Sequence, residues 1–222
     1  MKTLERKRKI LIVDDHAVFR EGLVRIINQE KDFEVCAEAE NAAEALKQAQ
    51  SARPEMMIVD ISLEGMNGLD LTKNLRTRYP DLRVLVLSMH KESLYAERAL
   101  RAGANGYMMK RESAKKLIGA IRFILSGQTF ISDELNQVLL QKLANSGRAE
   151  GLHSVETLSD RELEVFRLIG RGYGTRQMAD ELSISMKTIE SHREHIREKM
   201  GLKNTFELVQ QAIHWIHTEE FK

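Results

Sequence analysis

The sequence predicts an α/β doubly wound domain with a five-stranded parallel sheet, followed by an all-α domain of four helices. Over residues 9–126, short apolar runs alternate with amphipathic stretches, which is the pattern of a parallel sheet covered by helices. After residue 156 only helical patterns occur, and the stretch "NSGRAEGLHSVET" before them is polar and aperiodic like a linker. A length of 222 residues also fits two domains.

The first predicted domain consists of five strand–helix units. Proline disfavours helix in the residue before it, so Pro80 ends the third helix, while Gly103 and Gly127 end the fourth and fifth. The predicted strands are residues 9–13, 33–39, 55–60, 83–88 and 105–110. The predicted helices are residues 17–29, 42–51, 69–78, 94–102 and 113–125.

We place the α/β domain at residues 8–127 and the helical domain at residues 157–219. The linker, residues 128–156, includes one predicted helix at 133–144. Predicted helices of the second domain are residues 160–170, 175–182, 186–200 and 205–216.

Composition predicts a cytoplasmic protein with no membrane partner. No apolar run approaches the ~18 residues of a membrane span. The first apolar run stops at Asp14, too early for a signal peptide. The single cysteine, Cys36, excludes an intrachain disulfide, and a net charge of +1 gives no overall attraction to nucleic acid or membrane.

Polar side chains stand at the carboxyl ends of four predicted strands. Asp14 and Asp15 follow the first strand, and Asp60, Ser88 and Lys110 end the third, fourth and fifth. In a parallel sheet these ends meet at one edge. Three neighbouring carboxylates repel each other and favour a hard divalent cation such as Mg²⁺. The lysine and serine are suited to an anion beside the metal, so the set predicts phosphoryl transfer to a carboxylate.

Four motifs, "ILIVDDH", "MMIVDISLEGMNGLDL", "VLVLS" and "GANGYMMK", resemble the flavodoxin-like receiver domain of two-component response regulators. The resemblance covers roughly the first half of the chain. It implies that Asp60 accepts a phosphoryl group from the phosphohistidine of a sensor histidine kinase and forms an acyl phosphate. Beyond slow self-dephosphorylation, no enzymatic activity is expected.

The same resemblance implies the metal ligands and the switch. Asp15 and Asp60 would ligate Mg²⁺ together with the backbone carbonyl of Ser62, and Asp14 would act through water. A hydroxyl and an aromatic ring would then rearrange around the new phosphoryl group. The implied phosphoryl contact and switch residues are Lys110, Ser88 and Tyr107.

The chain departs from the receiver pattern after Asp60, where Leu63-Glu64 stands in place of methionine and proline. We expect Gly65 and Gly68 to keep this loop flexible. One alternative is therefore a regulator held in one state by Glu64 and read out without phosphate.

A second alternative is an aspartate-nucleophile phosphatase of the haloacid dehalogenase type. That chemistry usually needs an acid two residues after the nucleophile to protonate the leaving group. Ser62 occupies that place here.

The stretch "TLSDRELEVFRLIGRGYGTRQMADELSISMKTIESHREHIREKMGLKN" resembles the LuxR-type, or NarL-type, helix-turn-helix domain. Ser159 and Glu162 form a predicted capping box at the start of its first helix. The helix at 186–200 is then the one that lies in the DNA major groove. The whole chain is predicted to be a transcription regulator that forms a homodimer on activation and binds promoter DNA.

The predicted DNA-binding face lies opposite the apolar stripe of Ile189, Ile196 and Met200. Residues 155–222 carry ten basic and twelve acidic groups, so binding should depend on dimerisation and specific contacts more than on net charge. By resemblance the base-reading positions are Glu190, Ser191 and Glu194. The predicted phosphate contacts are Arg176, Lys187, Thr188, Arg193, Arg197 and Lys199. No role is assigned to His16.

Overall fold

The computed structural model describes residues 6–63, 65–89, 92–132, 135–137 and 154–220. The chain forms two compact units that divide between Leu140 and Gln141, inside the predicted linker. Of the helix predicted at 133–144, only residues 135–137 are described, and they are helical. Within the described ranges, no helix is long and apolar enough to cross a membrane.

The first unit alternates strands and helices, which confirms the predicted fold class. Half of the predicted bounds agree with the structure, and the others differ by one or two residues. Caps account for part of the difference at helix starts: Ser113 is the N-cap of its helix and accepts a hydrogen bond from the Lys116 amide. The strands are β1 (Arg8–Val13), β2 (Phe33–Ala39), β3 (Met56–Asp60), β4 (Arg83–Ser88) and β5 (Gly106–Met109). The helices are α1 (Ala17–Asn28), α2 (Ala42–Ala52), α3 (Gly68–Arg78), α4 (Glu92–Arg101) and α5 (Ala114–Leu125).

All five strands are parallel, in the order β2-β1-β3-β4-β5. The chain passes from β1 to β2 on one side and returns to β3 on the other, so the strand order reverses between β1 and β3. Ligands of open α/β sheets bind outside the carboxyl ends of the strands at such a point. Asp14 directly follows β1, and Asp60 is the last residue of β3.

The core explains why the strands read as continuous apolar runs. Ile12 and Ile58 pack in one cluster with Ile27 of α1 and Ile121 of α5. Every residue of β3 is buried. Because helices flank the sheet, both faces of the central strands must be apolar, and the usual alternation is lost.

Over residues 154–220 the second unit contains the four predicted α-helices, preceded by a short 3₁₀ turn that was not predicted. Its first helix has the predicted capping box: the Ser159 amide donates to Glu162 Oε2 at 2.7 Å, and the Glu162 amide donates to Ser159 Oγ at 3.3 Å. Phe166 packs against Trp215 with ring centroids 5.6 Å apart. The elements are Val155–Thr157 (3₁₀), α6 (Asp160–Gly170), α7 (Thr175–Glu181), α8 (Met186–Met200) and α9 (Thr205–Glu220).

The start of the predicted linker is attached to the sheet. Phe130 forms a parallel bridge with Gly106; its amide donates to the Asn105 carbonyl at 2.9 Å, and its carbonyl accepts from the Tyr107 amide at 3.1 Å. The backbone of residue 130 is therefore fixed beside β5, beyond the predicted domain end at residue 127.

Gly68 is a point of close backbone contact, which corrects the expectation that it keeps the loop flexible. It is the first residue of α3, and its amide donates to the Ile61 carbonyl at 2.9 Å. A Cβ added at this position would lie 1.9 Å from the backbone oxygen of Asp60. Only glycine lets α3 begin this close to the end of β3.

We expect Gly68→Ala to lower the free energy of unfolding of the first unit by about 1–3 kcal/mol, because the new methyl group must displace α3. Gly119→Ala is the matched control: it is an exposed position in α5 with no atom within 4 Å of an added Cβ. Alanine there should stabilise the helix by roughly 0.5–1 kcal/mol.

Urea denaturation followed by far-UV circular dichroism measures both variants. Trp215, the single tryptophan, lies in the second unit and reports that unit by fluorescence. Its transition should be the same in both variants. Equal stability of Gly68→Ala and Gly119→Ala would contradict the close-contact explanation.

Candidate functional site

Two buried carboxylates share one buried lysine at the carboxyl edge of the sheet. Lys110 Nζ lies 2.7 Å from Asp60 Oδ2 and 2.8 Å from Asp14 Oδ2. The Lys110 side chain is 4% exposed and each carboxylate 2%. The three residues follow or end β5, β3 and β1, so the parallel sheet itself brings them together.

Asp15 and His16 complete the cluster on its solvent side. Asp15 is 35% exposed, and His16 Nδ1 lies 2.6 Å from its Oδ1. The backbone amide of His16 donates to Asp14 Oδ1 at 3.0 Å. One ligand atom from each of Asp14, Asp15, His16 and Asp60 lies within 4.8 Å of all the others. The predicted carboxylates therefore form one compact donor set, together with His16, whose role the sequence does not indicate.

The first turns of α1 support this cluster, a contribution that sequence reasoning missed. Arg20 donates to the backbone carbonyl of Asp14 at 2.6 Å and forms ion pairs with Glu38 and Glu40. The Phe19 ring lies 4.7 Å from Lys110 Nζ. The only sequence signal was the position of these residues, five and six places after Asp14 at the start of a helix.

The electrostatics of the site are incompletely balanced. Burial, together with the neighbouring Asp14, raises the pKa of Asp60 to about 6, although Lys110 and a backbone hydrogen bond from Ser62 act in the opposite direction. Burial alone would lower the pKa of Lys110, but Asp60 and Asp14 outweigh it and raise that pKa.

The donor set fits a hard divalent cation. When all three carboxylates are ionised, they carry three negative charges against the single positive charge of Lys110. A dication would restore neutrality, and carboxylate oxygens are the ligands that Mg²⁺ prefers. Asp14, Asp15 and Asp60 are the side chains that would hold it.

Ser88 and Tyr107 are both fully buried beside this edge. Their side chains are hydrogen-bonded to each other, and burial raises the pKa of Tyr107. The Ser88 carbonyl accepts from the Lys110 amide at 2.8 Å, which ties β4 to the lysine. Of the unusual pair after Asp60, Leu63 is buried, whereas Glu64 lies outside the described residues, so its effect stays a prediction.

In the second unit, α8 presents the predicted DNA-binding face. Ile189, Ile196 and Met200 are buried, as the apolar stripe predicted. The exposed residues among the predicted contacts are Arg176, Lys187, Thr188, Glu190, Ser191, Glu194 and Lys199, while Arg193 and Arg197 are half-buried.

The acidic side chains of this face have fixed partners. Thr175 Oγ1 donates to Glu190 Oε1 at 2.8 Å and accepts from Arg193 at 2.9 Å. Arg197 donates to Glu194 at 2.8 Å. These contacts hold both carboxylates and offset part of their repulsion from DNA phosphates.

A buried carboxylate also attaches α8 to α6. Lys199 Nζ lies 2.6 Å from Oε2 of Glu162, whose side chain is 5% exposed. Burial would raise the pKa of Glu162, but hydrogen bonds from Lys199 and Ser159 lower it overall. Lys199, predicted to contact phosphate, therefore also anchors α8.

Family models match both units. The response regulator receiver domain model matches residues 10–122, and the model of bacterial regulatory proteins of the luxR family matches residues 156–212. The chain is 37% identical over 210 residues to the oxygen regulatory protein NreC of Staphylococcus epidermidis, covering 92% of this chain and 96% of that protein. NreC of Staphylococcus aureus is 35% identical over 209 residues, with the same coverage.

Solved structures are similar as well. A LuxR-family two-component response regulator from Aurantimonas sp. has a TM-score of 0.59 and 32% identity, over 63% of this chain and 100% of that chain. RcsB of Salmonella enterica serovar Typhimurium, bound to promoter rprA in the presence of phosphomimetic BeF₃⁻, has a TM-score of 0.64 at 24% identity, over 92% and 98%; this second likeness concerns the fold alone. With its receiver domain and its helix-turn-helix domain, the chain belongs to the LuxR family of DNA-binding response regulators.

Proposed function

We propose that a sensor histidine kinase phosphorylates Asp60 with Mg²⁺ bound, and that phosphorylation releases and dimerises the helix-turn-helix domain on promoter DNA. The observation that carries the proposal is the sharing of Lys110 by Asp14 and Asp60. One ammonium group between two buried carboxylates, with Asp15 beside them, leaves a site that attracts a dication and a phosphoryl group together.

In the proposed reaction, an oxygen of ionised Asp60 attacks the phosphorus of the phosphohistidine. The P–O bond forms as the P–N bond breaks, and the kinase imidazole, already protonated on its other ring nitrogen, leaves as a neutral imidazole. Bound Mg²⁺ supplies charge neutralisation of the phosphoryl oxygens. Asp15, Asp60 and the carbonyl of Ser62 would ligate it, with Asp14 acting through water.

Lys110 has two roles, one before phosphoryl transfer and one after it. Before transfer it balances Asp60 and Asp14; afterwards its ammonium pairs with a phosphoryl oxygen of the modified Asp60. Burial of Asp60 limits the access of water to the acyl phosphate, so self-dephosphorylation is slow and the chain is not an enzyme in the usual sense. Ser62, in the place of a second acid, also disfavours a phosphatase.

The proposed switch begins at Ser88. When its hydroxyl turns to the phosphoryl group, its hydrogen bond with the Tyr107 side chain is lost, and the buried ring is free to take another rotamer. Moving the chain from mostly inactive to mostly active needs about 3–5 kcal/mol of differential stabilisation. Support by analogy comes from RcsB, which was solved on promoter DNA with a phosphomimetic. Read-out without phosphate, through Glu64, is the alternative.

One prediction of this proposal concerns the phosphoacceptor. Incubation of the full chain with Mg²⁺ and acetyl phosphate should add one phosphoryl group by intact mass spectrometry, and Asp60→Asn should abolish the addition because no nucleophile remains. Asp70→Asn, an exposed carboxylate in the first turn of α3, is the matched control and should react like the wild type. Phosphorylation that persists in Asp60→Asn, or none in the wild type, would refute the assignment.

Another prediction of this proposal concerns DNA binding. Lys187→Ala should weaken binding equally for a selected binding site and a scrambled duplex and reduce the salt-dependence slope by about one, because it removes a phosphate contact. Glu194→Gln should instead alter the preferred base at one position, by about 1–3 kcal/mol. Fluorescence anisotropy over a salt series measures both. The assignment fails if both variants change affinity to the same extent on both duplexes.

A further inference from the structure

We propose that His16 is a nitrogen ligand of the metal site, which makes this chain bind first-row transition ions such as Ni²⁺ and Zn²⁺ more tightly than its carboxylates alone would. The inference rests on the proposed Mg²⁺ site and adds to it a ligand that the receiver resemblance does not include. Four donor atoms, three oxygens and one imidazole nitrogen, carry the proposal.

The two oxygens of Asp14 divide the site into two sides. Asp14 Oδ2 faces Lys110, which also contacts Asp60. Asp14 Oδ1 faces His16, with Nδ1 at 3.4 Å, and the same nitrogen lies 2.6 Å from Asp15 Oδ1. The imidazole is thus on the side of Asp15, away from the lysine that would contact a phosphoryl group.

The spacing of the donors suits one ion. Ligand atoms bound at ~2.1 Å lie at most about 4.2 Å apart across an octahedral ion. The donor atoms of Asp15, Asp60 and His16 lie within 4.8 Å of one another, and His16 Nδ1 lies 2.6 Å from Asp15 Oδ1. Shifts of under about 1 Å would place these three around one ion, with Asp14 acting through water.

The imidazole is also available. His16 is the N-cap residue of α1, yet its side chain makes no capping hydrogen bond. Its Nδ1 lies beside the carboxylates of Asp14 and Asp15, and 67% of the side chain is exposed. The backbone amide is fixed by Asp14 Oδ1, so the ring stays beside the donors while remaining open to an ion from solvent.

The ligand chemistry separates this role from a simpler one. Imidazole favours ions such as Ni²⁺ and Zn²⁺ over Mg²⁺, which prefers oxygen. If His16 only donated a hydrogen bond to Asp15 and oriented it, replacing His16 would lower the binding affinity for every divalent ion to the same degree. A nitrogen ligand changes selectivity, and an orienting hydrogen bond does not.

The experiment titrates the full chain with Mg²⁺ and with Ni²⁺ by calorimetry. His16→Gln should lower Ni²⁺ affinity by at least about tenfold and Mg²⁺ affinity by less than about twofold. Asp15→Asn should weaken the binding of both ions, because it removes a ligand that they share. His214→Gln, an exposed histidine of α9, is the matched control and should change neither affinity.

Pulsed electron paramagnetic resonance of bound Mn²⁺ gives a direct second readout. Modulation from an imidazole ¹⁴N should appear in the wild type and disappear in His16→Gln. Unchanged Ni²⁺ affinity, or equal losses for both ions, would overturn the role of His16 while leaving the Mg²⁺ site of the proposed function in place. Wild-type protein that binds neither ion would overturn that site itself.

Discussion

The pairing of Lys110 with both Asp14 and Asp60 is the interaction on which the receiver site depends. It joins the carboxyl ends of β1, β3 and β5, and all three side chains are almost fully buried. Burial of apolar side chains in the strands stabilises the fold. The polar edge lowers that stability, because two buried carboxylates share one cation. That imbalance is consistent with the binding of a divalent cation at this edge.

The helix-turn-helix unit uses a buried carboxylate in the opposite way. Glu162 closes the capping box of α6 and pairs with Lys199 of α8, so its pKa is lowered, whereas that of Asp60 is raised. The fully paired carboxylate of Glu162 anchors a helix, whereas that of Asp60, which shares its lysine with Asp14, forms part of a candidate binding site. Glu190 and Glu194, on the exposed face of α8, are paired too. The net negative charge of this unit is therefore compatible with DNA binding.

Apolar runs and turn residues were sufficient to predict the succession of strands and helices along the chain. A parallel sheet then requires Asp14, Asp60 and Lys110 to converge at one edge. Side-chain partners were beyond the sequence. The role of Asp14 through water stays a prediction, while the contact of its Oδ2 with Lys110 is visible only in the structure. The sequence predicts only a flexible loop at Gly68, because the close approach to the Asp60 carbonyl arises when α3 packs at the end of β3. The position of the His16 ring beside Asp14 and Asp15 is likewise visible only in the structure.

The most direct test is the pH dependence of stability of Asp60→Asn without divalent ions. Because folding raises the Asp60 pKa from about 3.9 to about 6, its favourable contribution is present below pH ~4 and lost as pH rises through ~6. At pH 7.5 the variant should be about 2–3 kcal/mol more stable than wild type in urea denaturation by circular dichroism, with the difference vanishing near pH 4. Exposed Asp81→Asn should show none. An Asp60→Asn variant equally or less stable at pH 7.5 would contradict the account.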